Sequence, residues 1–149
     1  MTLATPFKRE RDGAASLIPI RGHATFATLP APVTRLIGRQ REIAAVGALL
    51  IDEQARLVTV TGPAGVGKTR LAVEVAQTLA PTFGDGARFI SLASVTDPSL
   101  AAPAVARQLG LREMAGRPPI EALIDALRER ETLLVLDNFE QIVAAAPVI

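Results

Sequence analysis

Eight consecutive residues, Gly62-Pro63-Ala64-Gly65-Val66-Gly67-Lys68-Thr69, match the pattern G-x-x-x-x-G-K-[ST] throughout. Each residue type has a physical task in holding a polyphosphate. Glycines at 62, 65 and 67 admit positive φ and let successive N–H groups close around phosphate oxygens with no Cβ in the way. A helix starting at Lys68 adds the positive end of its dipole. Lys68 is expected to reach the β- and γ-phosphates and the Thr69 hydroxyl to ligate Mg²⁺. Arg70, in the same first helical turn, completes the expected nucleotide-binding set with Pro63, Ala64 and Val66.

A magnesium nucleotide also needs a carboxylate. Leu133-Leu134-Val135-Leu136-Asp137 places an Asp at the end of an apolar run, where ligands bind at the C-terminal ends of parallel strands. Lying 68 residues after Thr69 in a P-loop chain, Asp137 is the Walker B candidate. The next residue is Asn138, whose amide cannot take a proton from an attacking water as a Glu can. Glu140 is the nearest carboxylate that could substitute, so slow hydrolysis is expected. A third segment, Leu36-Ile37-Gly38-Arg39-Gln40-Arg41-Glu42, precedes the P-loop by about 24 residues and reads on its own as a turn and a helix start.

The elements that must position these residues are legible as a pattern. Apolar residues at helical spacing predict helices over 39–53, 68–80 and 119–130, and a further helix beginning within 141–149. β-Branched or continuous apolar runs predict strands at 56–61, 87–93 and 133–136. Thr96-Asp97-Pro98 reads as an N-cap, with the regular helix beginning no earlier than Pro103. Strands alternating with helices imply an α/β fold with a mainly parallel sheet. Residues 1–28, punctuated by Pro6, Gly13, Pro19 and Gly22, read as a poorly ordered leader, and 29–149 as one P-loop NTPase domain.

Composition excludes several classes. The chain has 149 residues, about one domain's worth. With no Cys and one His, His23, it has no thiolate nucleophile, disulfide or multi-histidine metal site. Five Phe with no Tyr or Trp leave little material for base stacking. Net charge is +1, too near balance for a polyanion binder, although residues 1–41 carry +5 and the remainder −4. No window is apolar enough to span a bilayer and no signal peptide is visible, so a cytoplasmic protein without membrane contact or direct nucleic-acid binding is expected.

Together, residues 29–42, Thr61–Ala72 and Leu133–Glu140 resemble the nucleotide-binding domain of STAND ATPases, the NB-ARC-like, signal-transducing relatives of AAA+ proteins. The similarity is strongest to the group in large bacterial LuxR-type transcriptional regulators. It implies ATP and ADP as ligands with Mg²⁺, exchanged in a conformational switch, and contact of Ile37, Gly38 and Arg39 with the adenine, largely through backbone groups. It further implies a three-layer P-loop sandwich with strand order 5-1-4-3-2. There a strand following the Walker B strand separates it from the P-loop strand. This chain reaches Ile149 before supplying one, so a domain truncated after the Walker B strand is expected, with a gap between strands 56–61 and 132–137. Self-association or downstream regulator domains are the implied partners. The alternatives are a small P-loop kinase, for which a lid and arginines after Asp137 are lacking, and a remnant without independent activity.

Overall fold

The computed structural model describes residues 1–5, 28–31, 34, 36–51, 55–111 and 116–145. His23 and most of the expected leader lie outside them, as do residues 146–149 of the last expected helix.

Leu133–Asp137 (β4) is the strand on which the sheet is organised. Its side chains alternate between two cores, as the period of two requires. Leu133 and Val135 face one apolar cluster, and Leu134 and Leu136 face the other. The first cluster is closed by helices Gln40–Ile51 (α1) and Lys68–Leu79 (α2), through Leu50, Leu71, Val75 and Leu79. The second is closed by Ala101–Gln108 (α3) and Pro119–Arg128 (α4), through Val105 and Leu123. The result is helices on both faces of a sheet, the layering that buries a strand apolar on both sides.

Among the described residues the sheet contains four strands: Thr2–Ala4 (β1), Leu57–Thr59 (β2), Ala87–Ser91 (β3) and β4, in the order β2-β1-β4-β3. Only β3 and β4 pair in parallel; β1 is antiparallel to both β2 and β4. The sheet is therefore mixed, not mainly parallel. The expected gap between the P-loop strand and the Asp137 strand is also closed. Residues 2–4, inside the segment read as a leader, fill it, with Leu3 opposite Val58 on one side and Val135 on the other. The physical reason is double: the facing edges of β2 and β4 need backbone partners, and Leu3, fully buried, enters the α1–α2 cluster. Hydrogen bonds from Thr5 N to Arg56 O and from Val60 N to Met1 O, both 2.9 Å, continue the pairing at either end.

Element boundaries move modestly. The strands at 56–61 and 87–93 shorten to 57–59 and 87–91, and the helices at 68–80 and 119–130 to 68–79 and 119–128, while the helix at 39–53 is seen over 40–51, its last two positions lying outside the described residues. Asp97 caps the turn Pro98–Leu100 by accepting from Ser99 N (2.9 Å) and Ser99 Oγ (2.8 Å). The helix after it starts at Ala101, two residues before Pro103, because a proline in the first turn forfeits only an N–H that has no intrahelical partner. Over its described residues the helix expected from 141 is instead a 3₁₀ segment, Phe139–Ala145, broken at Ile142 (φ −129°, ψ 31°). That break turns the Ile142 side chain fully into the α3–α4 core.

Candidate functional site

The P-loop lies between β2 and α2, as the sequence requires. Gly65 has φ +75° and Gly67 φ +90°, left-handed conformations that a side chain at either position would strain. Gly67 precedes the first helical residue and makes no side-chain cap, so the first N–H groups of α2 remain available to a ligand. Lys68 folds back over the loop, its Nζ donating to the carbonyls of Gly62 and Pro63, each at 3.0 Å. Those carbonyls hold the ammonium at the loop mouth.

Thr69, in the first turn of α2, meets Asp137 at the end of β4. The Thr69 hydroxyl donates to Asp137 Oδ1 at 3.1 Å. The same Oδ1 accepts the Asn138 N–H at 3.1 Å. Asn138 itself has φ 60°, the left-handed region that Asn tolerates better than most residues. Its residue type thus has a conformational reason, which the comparison with a catalytic Glu did not anticipate; an Asn directly after a strand was the only signal available.

Arg39 is brought to the P-loop as well. Its guanidinium donates to the Val66 carbonyl at 3.2 Å and to Glu42 Oε1 at 3.4 Å. Ile37 is 89% exposed, and Gly38 has φ +77° with open space around it. The segment before them is tied to α2 by Gln77, whose Nε2 donates to the Pro30 carbonyl at 3.0 Å. Arg70 stands apart: its Nε and one Nη are buried with no hydrogen-bond partner among the described residues. Such orphaned donors cost about 1–3 kcal/mol each.

Glu140 shares a cavity of about 530 Å³ with Lys68, Gly62, Phe139 and Met1. Its carboxylate accepts from the N-terminal ammonium at 3.5 Å. Its own backbone N–H is the largest cause that holds its pKa below the usual glutamate range; burial, the next largest, opposes this, and the N-terminal ammonium and, last, Lys68 add to the lowering. The position of Met1 in this cavity follows from β1 and had no counterpart in the sequence pattern.

The donor chemistry suits a small hard cation. A hydroxyl and a carboxylate oxygen 3.1 Å apart are the oxygen ligands that Mg²⁺ prefers. Among the described residues no group of three or more His, Cys, Asp or Glu could hold a metal by itself. A cation there therefore needs further oxygens, such as those of phosphates and water.

The family model described as "AAA domain" matches residues 51–147. The chain belongs to the AAA domain family. This AAA domain is 37% identical over 117 residues to an uncharacterized protein of Mycobacterium bovis and to one of Mycobacterium tuberculosis, covering 78% of this chain and 29% of each relative. It is also 41% identical over 92 residues to a Mycobacterium bovis protein named "Putative HTH-type transcriptional regulator", covering 62% of this chain and 10% of that protein. The chain thus spans less than a third of the length of these relatives. No solved structure matches it significantly. The family is a nucleotide-binding one, in agreement with the P-loop geometry, and no helix among the described residues is long and apolar enough to cross a membrane.

Proposed function

We propose that residues 29–149 form the ATP- and ADP-binding module of a STAND-type signalling ATPase, working as a slow switch within a transcription regulator. The observation that carries it is the meeting of Thr69 and Asp137, from motifs 68 residues apart, beside the Lys68 ammonium. Phosphate oxygens replace the Gly62 and Pro63 carbonyls as acceptors for Lys68, and the α2 N-terminal N–H groups bind them. Arg70, in the first turn of α2, completes the nucleotide-binding set. The segment Ile37-Gly38-Arg39 lies against the adenine, and the Arg39 contact with Val66 supports that position next to the loop.

Thr69 and Asp137 hold Mg²⁺, which neutralises charge on the phosphates. Hydrolysis is slow because Asn138 carries no base and Glu140, the alternative, has a lowered proton affinity and an ammonium beside it. The likeness to a protein named as an HTH-type transcriptional regulator supports the regulatory context. Self-association, further regulator domains, a cytoplasmic location and the lack of direct nucleic-acid contact by this segment belong to the same proposal.

The test is nucleotide-dependent thermal stability. At a ligand concentration 100 times Kd, ATP or ADP with Mg²⁺ stabilises the fold by about 2.7 kcal/mol, and Lys68→Ala removes the shift. No shift with the unaltered chain overturns the proposal and favours a remnant; transfer of phosphate to a small metabolite favours the kinase.

A further inference from the structure

We infer that Arg39 is a positioning residue for the phosphate-binding loop: by holding the Val66 carbonyl it aims the Gly67 N–H at the phosphates, without touching them itself. The inference rests on the nucleotide reading and deepens it, since it assigns Arg39 a task at the phosphate end of the ligand.

Gly67 gives the loop its shape and also its slack. Its φ of +90° would strain a side chain, but a glycine reaches other conformations as readily, so the peptide unit joining Val66 to Gly67 can rotate. That unit is planar and trans, with its carbonyl and its N–H pointing in opposite directions. Fixing one end therefore aims the other. The Arg39 guanidinium donates to the Val66 carbonyl at 3.2 Å, which leaves the Gly67 N–H facing away from Arg39. No backbone carbonyl among the described residues accepts that N–H. Directly ahead of α2, it is the donor that a phosphate oxygen takes where successive N–H groups of such a loop converge.

The brace has a firm base. The Arg39 carbonyl accepts the Ile43 N–H at 3.0 Å as α1 begins, and Leu36 and Ile43, on either side, pack against the α1–α2 cluster. Glu42 Oε1 accepts from Nη1 at 3.4 Å and orients the guanidinium while Nη2 reaches Val66. Helix position alone does not favour a cation here, because the start of a helix is the positive end of its dipole. The partner that distinguishes Arg39 is the carbonyl 27 residues along the chain.

Inorganic tripolyphosphate, which has no base for the Ile37-Gly38 segment to contact, is the probe. In calorimetric titration Arg39→Ala is expected to bind it about tenfold more weakly than the parent chain, the worth of one charge-assisted hydrogen bond. A positive charge acting only from nearby would give the same loss, so the second readout is the Gly67 amide resonance of the ligand-free protein. That resonance is expected to move and broaden once the Val66 carbonyl is released. Arg39→Met keeps the side-chain stem and drops the donors; it is expected to behave in the same way and serves where the alanine variant does not fold. Equal affinity in parent and variants overturns the inference alone, as does weakened affinity with an unmoved Gly67 resonance. A parent chain with no affinity for tripolyphosphate overturns the nucleotide reading as well.

Discussion

The Thr69 hydroxyl donates to Oδ1 of Asp137 at 3.1 Å, and in doing so joins the first turn of the helix after the P-loop to the end of a strand 68 residues later. Neither residue forms a cation site alone. Side by side they present two hard oxygens at the mouth of the P-loop, so the magnesium dependence of nucleotide affinity is expected to reside in this pair. Thr69→Val and Asp137→Asn should each weaken nucleotide binding in the presence of Mg²⁺ at least tenfold while leaving affinity in EDTA nearly unchanged. Calorimetric titration with and without Mg²⁺ checks this; equal losses in both conditions would sink it.

Leu3 is fully buried although it is the third residue of the sequence. Truncation of a buried Leu typically costs about 2–5 kcal/mol. Leu3→Ala should therefore lower the urea midpoint of unfolding markedly, whereas Leu57→Ala, at a residue 63% exposed, should change stability by about 0.5 kcal/mol or less. A silent Leu3→Ala would mean that β1 contributes nothing to the fold.

Glu140 is ionised more readily in the folded state than in the unfolded one. The sign follows from linkage: its contribution to stability is present above the usual glutamate pKa and is lost as pH falls through the lowered folded value. The effect is small, because the side chain is 57% exposed and screened. NMR titration of the Glu140 carboxyl should give a midpoint below the usual range. Acetylation of the terminal amine should raise it only in part, since the Glu140 backbone N–H is the larger cause. In turnover assays, Glu140→Gln should reduce the residual hydrolysis rate by about 10²-fold or more if this carboxylate positions the water.

Asn138 holds a left-handed backbone at φ 60°. A residue with a Cβ and no affinity for that region pays about 1–2 kcal/mol there. Asn138→Glu is expected to lose stability by that amount, so restoring a carboxylate beside Asp137 does not come free of strain. Asn138→Gly should remain close to the parent. Urea unfolding of the two variants distinguishes a conformational role from a purely chemical one, which would leave both equally stable.

Much of the site was legible in the residues alone. The strand, glycine loop and helix around 57–79 and the apolar run ending at Asp137 depend on local rules: β-branched runs favour strands, positive φ calls for glycine, and helical spacing repeats within a few residues. The Asn138 conformation and the contact of Arg39 with Val66 were not legible, since side-chain direction depends on what each element packs against.

The amino-acid order by itself therefore determined the P-loop, its helix and the layering of apolar faces that places Asp137 at a strand end. Only tertiary structure decided what lies between the P-loop strand and the Asp137 strand. Three residues, Thr2 to Ala4, are too few to show a period, and their partners sit more than fifty residues away at Leu57–Thr59 and beyond that at Leu134–Leu136. Such pairing is driven by unpaired edges and a buried Leu3, quantities that exist only once the rest of the sheet has formed.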